Sequence, residues 1–356
     1  MINSSRTRLI GIAAGMLKAK KEKQLSSSLY LNYGLLGLIT NLKDKGYDAV
    51  MFQGDYKDID TVIQEMLSQG TDLYGGKNIF LLSVPSFLSL EWATEFARKI
   101  KKVHPSNKII VGGRWVIDKN LQWVKDKFMG YADAYSVGCP DDHAELFADE
   151  SRWSELETSK QYTHPFYRLD YTLLDNYKYY QPVLEVSRGC GRGCSFCLEN
   201  SFAVCPLLSP ESIFGQIGEL QKIYDTDMLN IYFESSIFLP TLSWSKRFRE
   251  LYRTSGSRFG WRCTTRVDSA NAEAFEILSD AGLKVVDFGL ESASPSQLIR
   301  MGKTKDPERY LRKAEDIIKR LSEKMYGTSL IFFCTHRRPM RPLTRQRIGS
   351  LQTDLT

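Results

Sequence analysis

Residues 183–197 read VLEVSRGCGRGCSFC, and this stretch decides how the second half of the chain folds. The apolar run 183–186 predicts a short buried strand, and a loop with three cysteines follows it closely. Cys190, Cys194 and Cys197 are separated by three and by two residues. A tightly curled loop with this spacing brings the three thiolates to one centre.

The loop is also rich in glycine, at Gly189, Gly191 and Gly193. Glycine permits the tight curl because it adopts backbone angles that other residues resist. Three soft sulfur ligands suit either an iron–sulfur cluster or zinc. Three protein ligands leave one metal position open, as a catalytic centre requires. The alternative is a structural zinc site that takes Cys205 as its fourth ligand.

From residue 183 onward, predicted strands and helices alternate with a period of about thirty residues, which is typical of βαβ units. This alternation predicts a (β/α) barrel or part of one. The predicted strands are 183–186, 229–233, 259–264, 285–289 and a fifth near 329–333.

The first part of the chain alternates in the same way and predicts a doubly wound parallel sheet, whose ligands bind at the carboxyl ends of the strands. The predicted strands are 9–14, 49–52, 78–84, 108–111 and 132–137. Residues 150–182 are polar and aromatic with little periodicity. We interpret them as a linker whose tyrosines pack on a surface.

The composition is that of an ordinary globular protein, with 42% hydrophobic and 25% charged residues among 356. No apolar run approaches the ~18 residues of a membrane helix, so we expect no span. Seven cysteines are too few for a disulfide scaffold, which favours a reducing, cytoplasmic location. The apolar N-terminal run is followed by lysines without a cleavage site, so we predict a strand rather than a signal peptide.

The last residues have an unusual composition. After Lys324 the chain has no lysine or glutamate but five arginines. We interpret residues 326–356 as a truncated or frame-shifted end, and a genuine basic tail is the alternative. Most of the net charge of +6 lies there, so the charge does not indicate an acidic partner. No basic stripe with interleaved aromatics occurs in the folded body, so we expect no nucleic acid partner.

The cysteine spacing, the aromatic Phe196 before the last cysteine and the preceding strand together resemble the radical SAM superfamily. The resemblance implies a [4Fe-4S] cluster held by Cys190, Cys194 and Cys197, whose fourth iron is chelated by S-adenosylmethionine (SAM). It also implies that an electron from the cluster cleaves SAM to a radical that abstracts hydrogen from a substrate. A reductase such as flavodoxin or ferredoxin is the implied electron donor.

Three further residues follow the later strands in the order that this superfamily shows. By resemblance, Glu234 would meet the SAM amino group, Arg266 the SAM carboxylate and Glu291 the SAM ribose. Arg266 lies in an Arg-Val-Asp motif, and Glu291 lies in a Gly-Leu-Glu-Ser motif that Met-Gly-Lys303 follows. Each residue alone is more often a surface residue or a helix cap, and their order after the cysteine loop is what strengthens the prediction.

The first alternating region resembles the cobalamin-binding domain that precedes many radical SAM barrels. The resemblance rests on the stretch 33–38 together with 46–50, on Leu-Ser83-Val-Pro and on Ile-Val-Gly112-Gly113-Arg114-Trp115. It makes Ser83, Gly112 and Gly113 the candidate cobalamin-binding residues. Glycine after a strand lets a bulky ligand approach the backbone, although a tight turn without a ligand is the alternative. The motif Asp-x-His-x-x-Gly is absent from the sequence, so a bound cobalamin would lack a histidine lower ligand.

These observations predict a Rossmann-like, cobalamin-binding-type domain at 1–149 and a linker at 150–182. A partial (β/α)6 radical SAM barrel at 183–325 and an atypical tail at 326–356 follow. The leading functional hypothesis is a cobalamin-dependent C-methyltransferase of a biosynthetic pathway, acting on a small molecule or peptide. One alternative is a radical SAM enzyme of another reaction type with an empty first domain. The other is a non-catalytic, zinc-binding interaction protein.

Overall fold

Two five-stranded parallel sheets organise the chain. The computed structural model describes residues 7–15, 31–55, 57–138, 141–158, 168–199, 202–322 and 327–332. The predicted α/β fold class is confirmed, because each predicted strand appears in one of the two sheets.

The first sheet has the order β2-β1-β3-β4-β5. Its strands are β1 (Arg8–Ala13), β2 (Ala49–Gln53), β3 (Asn78–Ser83), β4 (Lys108–Gly112) and β5 (Ala134–Tyr135). Its helices are α1 (Tyr33–Asp44), α2 (Ile59–Ser68), α3 (Leu90–Val103) and α4 (Leu121–Phe128). Because β1 lies inside the sheet, the chain winds in both directions from it, as in doubly wound folds.

Both faces of this sheet are covered by helices, which explains why its strands are apolar throughout. Successive side chains of a strand point to opposite faces. Leu9 therefore belongs to the hydrophobic cluster that contains α1, whereas Ile10 belongs to the cluster that contains α2, α3 and α4. Asn32 starts α1, since its side-chain oxygen accepts a hydrogen bond from the Leu35 N–H at 3.2 Å.

The second sheet has the strictly sequential order β10-β9-β8-β7-β6. Its strands are β6 (Val183–Glu185), β7 (Met228–Glu234), β8 (Arg258–Thr265), β9 (Leu283–Glu291) and β10 (Gly327–Phe332). Its helices are α5 (Pro210–Tyr224), α6 (Leu242–Thr254), α7 (Ala272–Ser279), α8 (Pro295–Arg300) and α9 (Pro307–Ser322). Sequential parallel strands joined by helices are the arrangement of a barrel segment.

One face of the second sheet is an aromatic core. Phe248 of α6 packs on Trp261 and Phe233, with ring centroids 5.5 and 6.0 Å apart. The opposite face carries partly exposed polar side chains, among them Tyr232, Glu234, Arg262 and Thr264. This alternation follows from the two-residue period of a strand, and it directs polar groups towards the concave side.

The predicted linker is packed into the core. Trp153, Tyr171 and Tyr180 belong to one hydrophobic cluster with residues of α1 and of the second sheet. The Tyr171 hydroxyl donates to the Val183 carbonyl at 2.9 Å and accepts from the Val183 N–H at 2.7 Å. The described parts of this segment, 150–158 and 168–182, thus pack against both the first helix and the first strand of the second sheet. The domain boundaries at 149/150 and 182/183 remain predictions.

Parts of two predictions lie outside the described residues. Of the predicted atypical tail, only 327–332 is described, as β10. The lysine-rich segment after the first apolar run also lies outside them. Within the described ranges, no helix combines the length and the apolar character needed to cross a membrane.

Substitution of Trp261 tests how much the aromatic core of the second sheet contributes to stability. Its ring stacks on Phe233 with centroids 4.4 Å apart, and its Nε1–H donates to the Ala281 carbonyl at 2.8 Å. Because Trp261→Ala leaves a cavity and an unpaired carbonyl, we expect it to lower the free energy of unfolding by about 3–5 kcal/mol. Urea unfolding followed by circular dichroism measures this. Trp123→Ala, at a side chain that is 45% exposed, is the control, and equal losses in both variants would contradict the packing described.

Candidate cluster and cofactor site

The cysteine loop follows β6 at the carboxyl end of the second sheet. Gly189, Gly191 and Gly193 have φ of +72°, +62° and +70°, in the left-handed region that favours glycine. A Cβ atom at Gly189 would lie 1.9 Å from the Ala203 carbonyl oxygen. Glycine is therefore required at residue 189, as the sequence predicted for the curl of the loop.

Backbone hydrogen bonds hold the loop on two sides. The N–H groups of Cys190 and Gly191 both donate to the Phe202 carbonyl, at 3.1 and 2.8 Å. On the other side, the Ser195 N–H donates to the Met301 carbonyl at 3.0 Å. The loop is thus fixed between its own returning segment and the turn that follows α8.

The three thiols differ in exposure. Cys194 is buried, whereas Cys190 and Cys197 are partly exposed. Burial raises the pKa of the Cys190 and Cys197 thiols, and the nearby charges of Arg266 and Arg114 respectively oppose that rise. Within the described ranges, no three His, Cys, Asp or Glu side chains lie close enough together to share a single metal ion. Three thiols on one loop are soft donors, and they fit a [4Fe-4S] cluster, in which each thiolate binds a different iron atom and the sulfurs lie farther apart than around a single ion.

Arg266 lies directly after β8 and reaches the cysteine loop. Its Nη1 donates to the Cys194 sulfur at 3.0 Å. Nε and Nη2 donate to the two carboxylate oxygens of Asp268, both at 2.9 Å, and Nη2 also donates to the Lys303 carbonyl at 2.6 Å. The residue predicted to bind the SAM carboxylate therefore lies at the cluster loop, with four hydrogen bonds already made.

Glu291 ends β9 with φ of +71°, a conformation that costs an ordinary residue about 1–2 kcal/mol. Such strain concentrates at functional sites. Its Oε1 accepts from Lys303 Nζ at 3.0 Å, whereas its Oε2 is buried with no hydrogen-bond partner. A carboxylate oxygen left in this state fits a hydroxyl donor such as a ribose. The sequence motif included Lys303, but only the fold shows it paired with Glu291.

Glu234 ends β7 and lies where the two sheets meet. The hydroxyls of Tyr232 and Tyr33 lie near its carboxylate and favour the charged form, and Tyr33 belongs to α1, which packs on the first sheet. Burial raises the pKa of Glu234, and the Arg114 charge opposes this. Its role as the residue that meets the SAM amino group remains a prediction.

Arg114 links the carboxyl ends of the two sheets. It follows β4 closely, and its Nη2 lies 3.4 Å from the Oε1 of Glu199, two residues beyond Cys197. The Glu199 Oε2 accepts from Ser236 Oγ at 3.1 Å. Sequence analysis included Arg114 in a stretch that resembles a cobalamin-binding domain but gave it no partner, and it did not select Glu199. The position of Arg114 after a pair of glycines was visible in the sequence, but its distant partner was not.

The three predicted cobalamin-binding residues lie together at the edge of the first sheet that faces the cysteine loop. Ser83 pairs in register with Gly112, and its hydroxyl accepts from Asn32 Nδ2 at 3.0 Å. Gly113 has φ of +98°, and a Cβ there would lie 2.7 Å from Ser83 Oγ. The fold itself therefore requires glycine at 113. The neighbouring Trp115 Nε1 is buried without a partner, which fits a polar ligand group at this edge.

Residues 184–334 match the sequence profile of the Radical SAM superfamily. The cysteine loop lies within this range, as do Glu234, Arg266, Glu291 and Lys303. This part of the chain belongs to the radical SAM superfamily. A curated relative, an uncharacterized methyltransferase of Pyrococcus horikoshii, is 28% identical over 127 residues, which are 35% of this chain and 28% of that protein.

Solved structures of two radical SAM proteins share the fold of the radical SAM domain and of the domain before it. The methyltransferase TsrM of Kitasatospora setae, with cobalamin and a [4Fe-4S] cluster bound, matches with a TM-score of 0.67 and 13% identity. The match covers 92% of this chain and 69% of TsrM. The cobalamin-dependent enzyme OxsB, with aqua-cobalamin and SAM bound, matches with a TM-score of 0.66 and 17% identity. Here 92% of this chain and 49% of OxsB are covered. At such low identity the likeness establishes the fold, and it confirms the predicted two-domain resemblance.

The assignment of the three cluster ligands is tested by iron content. After anaerobic reconstitution with iron and sulfide, Cys190→Ala, Cys194→Ala and Cys197→Ala are each expected to lose most of the bound iron, because two thiolates do not retain the cluster. Cys205→Ala is the matched control and should retain it, since only the zinc alternative uses that thiol. If Cys205→Ala loses as much iron as the other three variants, the assignment of Cys190, Cys194 and Cys197 as the three ligands is wrong.

The burial of the Glu234 carboxyl is tested by the pH dependence of stability in the variant Glu234→Gln. Because the folded protein raises the pKa of Glu234, folding favours its protonated form, and wild type loses stability as pH rises above the ordinary glutamate pKa of about 4.3. The neutral glutamine has no such loss. The unfolding free energy of Glu234→Gln relative to wild type should therefore increase from pH 5 to pH 8 in urea titrations. A difference that stays constant with pH would contradict the burial of this charge.

Proposed function

We propose that this protein is a cobalamin-dependent radical SAM enzyme that transfers a methyl group to carbon in a small molecule or peptide. One observation carries the proposal. The three-cysteine loop lies at the carboxyl end of the second sheet, opposite the edge of the first sheet that holds Ser83, Gly112 and Gly113. In the described part of the chain the Arg114–Glu199 ion pair joins the two edges, and Tyr33 of α1 lies near Glu234.

Each chain residue in this proposal has a binding or orienting role. When bound, a [4Fe-4S] cluster supplies the electron that cleaves SAM, and cobalamin supplies a methyl carrier. Cys190, Cys194 and Cys197 would hold the cluster on the loop that backbone hydrogen bonds already fix. Glu291 would accept a ribose hydroxyl with its unpaired Oε2, since a new donor there removes the cost of an unsatisfied buried oxygen.

Glu234 would receive the ammonium group of SAM. A positive charge brought next to its carboxylate favours the ionised form and opposes the effect of burial on its pKa. The Tyr33 and Tyr232 hydroxyls lie near this carboxylate and favour its charged form. Because Tyr33 comes from the first domain, the site at Glu234 depends on contact between the two domains.

The electron donor and the cellular location are also predictions. A one-electron donor such as flavodoxin or ferredoxin would reduce the cluster, and the protein would act in the cytoplasm. The same radical chemistry with an empty first domain is the second candidate. It is favoured by one observation, that the space beside Gly113 is filled by Ser83 and Val84.

Anaerobic reconstitution of the whole chain with iron, sulfide and cobalamin distinguishes the three hypotheses. We expect a brown protein that forms 5′-deoxyadenosine from SAM when dithionite is added, detected by chromatography, and Cys194→Ala should form none. Corrin absorbance that co-elutes with the protein in gel filtration supports the cobalamin-dependent reading. SAM cleavage without corrin binding supports the second candidate. A colourless protein with stoichiometric zinc would establish the non-catalytic alternative instead.

A further inference from the structure

Arg266 contacts the buried sulfur of the cysteine loop. Its Nη1 lies 3.0 Å from the Cys194 sulfur. The side chain of Arg266 is only 8% exposed, and Cys194 is 7% exposed. A charge-assisted hydrogen bond in such a site is strong, because little water screens it.

The guanidinium is held in one orientation from the side opposite the sulfur. Asp268 accepts two parallel hydrogen bonds from Nε and Nη2, and the Lys303 carbonyl accepts a third. This forked pairing is the geometry in which arginine ordinarily binds a carboxylate. The carboxylate of SAM would have to displace Asp268 to be bound in the same way. The Nη1 edge, by contrast, is directed at Cys194.

We propose that Arg266 is a positioning residue of the iron–sulfur cluster, which orients the Cys194 thiolate and stabilises the reduced cluster, rather than the ligand of the SAM carboxylate. The inference rests on the proposed function, in which Cys194 is a cluster ligand. Reduction adds one negative charge to the cluster and its thiolates. A fixed positive charge and a hydrogen bond to a ligand sulfur lower the energy of that state, and so raise the reduction potential.

Arg114, another arginine near the loop, is more exposed and is already paired with a carboxylate. Arg114 is 57% exposed, and its guanidinium approaches Glu199 at 3.4 Å. An exposed charge that is already paired with a carboxylate is screened by water and salt. The effect on the cluster is therefore assigned to Arg266.

The test compares Arg266→Gln and Arg266→Lys with wild type after anaerobic reconstitution, without SAM. Redox titration followed by electron paramagnetic resonance measures the reduced fraction of the cluster. At a fixed potential we expect Arg266→Gln to lower the ratio of reduced to oxidised cluster about tenfold, which for one electron equals a shift of about 59 mV to more negative potential. Arg266→Lys keeps the positive charge but loses the paired hydrogen bonds to Asp268. The shift of its reduction potential should therefore have the same sign as in Arg266→Gln and be smaller.

The dissociation constant for SAM is measured on the same samples by isothermal titration calorimetry. It should change little in either variant, because in this proposal Arg266 does not contact SAM. Arg262→Gln is the matched control. Arg262 lies on β8, four positions before Arg266, and is paired with Asp287. The variant therefore removes an arginine–carboxylate pair at another position near the end of the same strand. Its potential should equal that of wild type.

Three outcomes would overturn the inference. An unchanged potential in Arg266→Gln with much weaker SAM binding would return Arg266 to the role of carboxylate ligand. Equal shifts in Arg262→Gln and Arg266→Gln would mean a general charge effect. Failure of wild type to bind a cluster would overturn the proposed function itself, and iron analysis identifies that case. If Arg266→Gln does not fold by circular dichroism, the potential of Arg266→Lys decides.

Discussion

Parallel pairing of the strands is the constraint on which the rest of this structure depends. Each strand must return through a helix before it pairs again, so all strand ends of one kind lie at the same edge of a sheet. The cysteine loop, Glu234, Arg266 and Glu291 lie at or just after the ends of four different strands, and these ends share one edge of the second sheet. The first sheet collects Ser83, Gly112 and Gly113 in the same way.

The two sheets do not behave as separate bodies on a loose connection. Tyr171 bonds both backbone groups of Val183, and its ring lies in a hydrophobic cluster that includes residues from both sheets. The linker thus sets where β6 begins relative to α1. This placement lets Tyr33 reach Glu234 and lets Arg114 reach Glu199. In the proposed function, such packing would set the distance between the two cofactors.

Strands and helices were predictable because the burial of both faces of the first sheet, and of one face of the second, leaves continuous or alternating apolar runs. The cysteine loop was predictable because its spacing and its glycines are local. The linker was harder to interpret, since the 3₁₀ turns around Tyr171 leave no clear period. Gly113 was predicted as a place of ligand approach. Its left-handed backbone and the nearby Ser83 show that the protein's own packing already requires glycine there.

The sequence by itself determined the α/β class, the positions of the strands along the chain and three thiols on one curled loop, because these depend on neighbours along the chain. Only the tertiary structure decided that Arg266 contacts Cys194, that Lys303 pairs with Glu291 and that Arg114 meets Glu199. Two of these pairs, Arg266–Cys194 and Arg114–Glu199, join residues far apart in the sequence. Their formation depends on crossover helices and linker packing, which set the distance between strand ends and leave no local pattern in the chain.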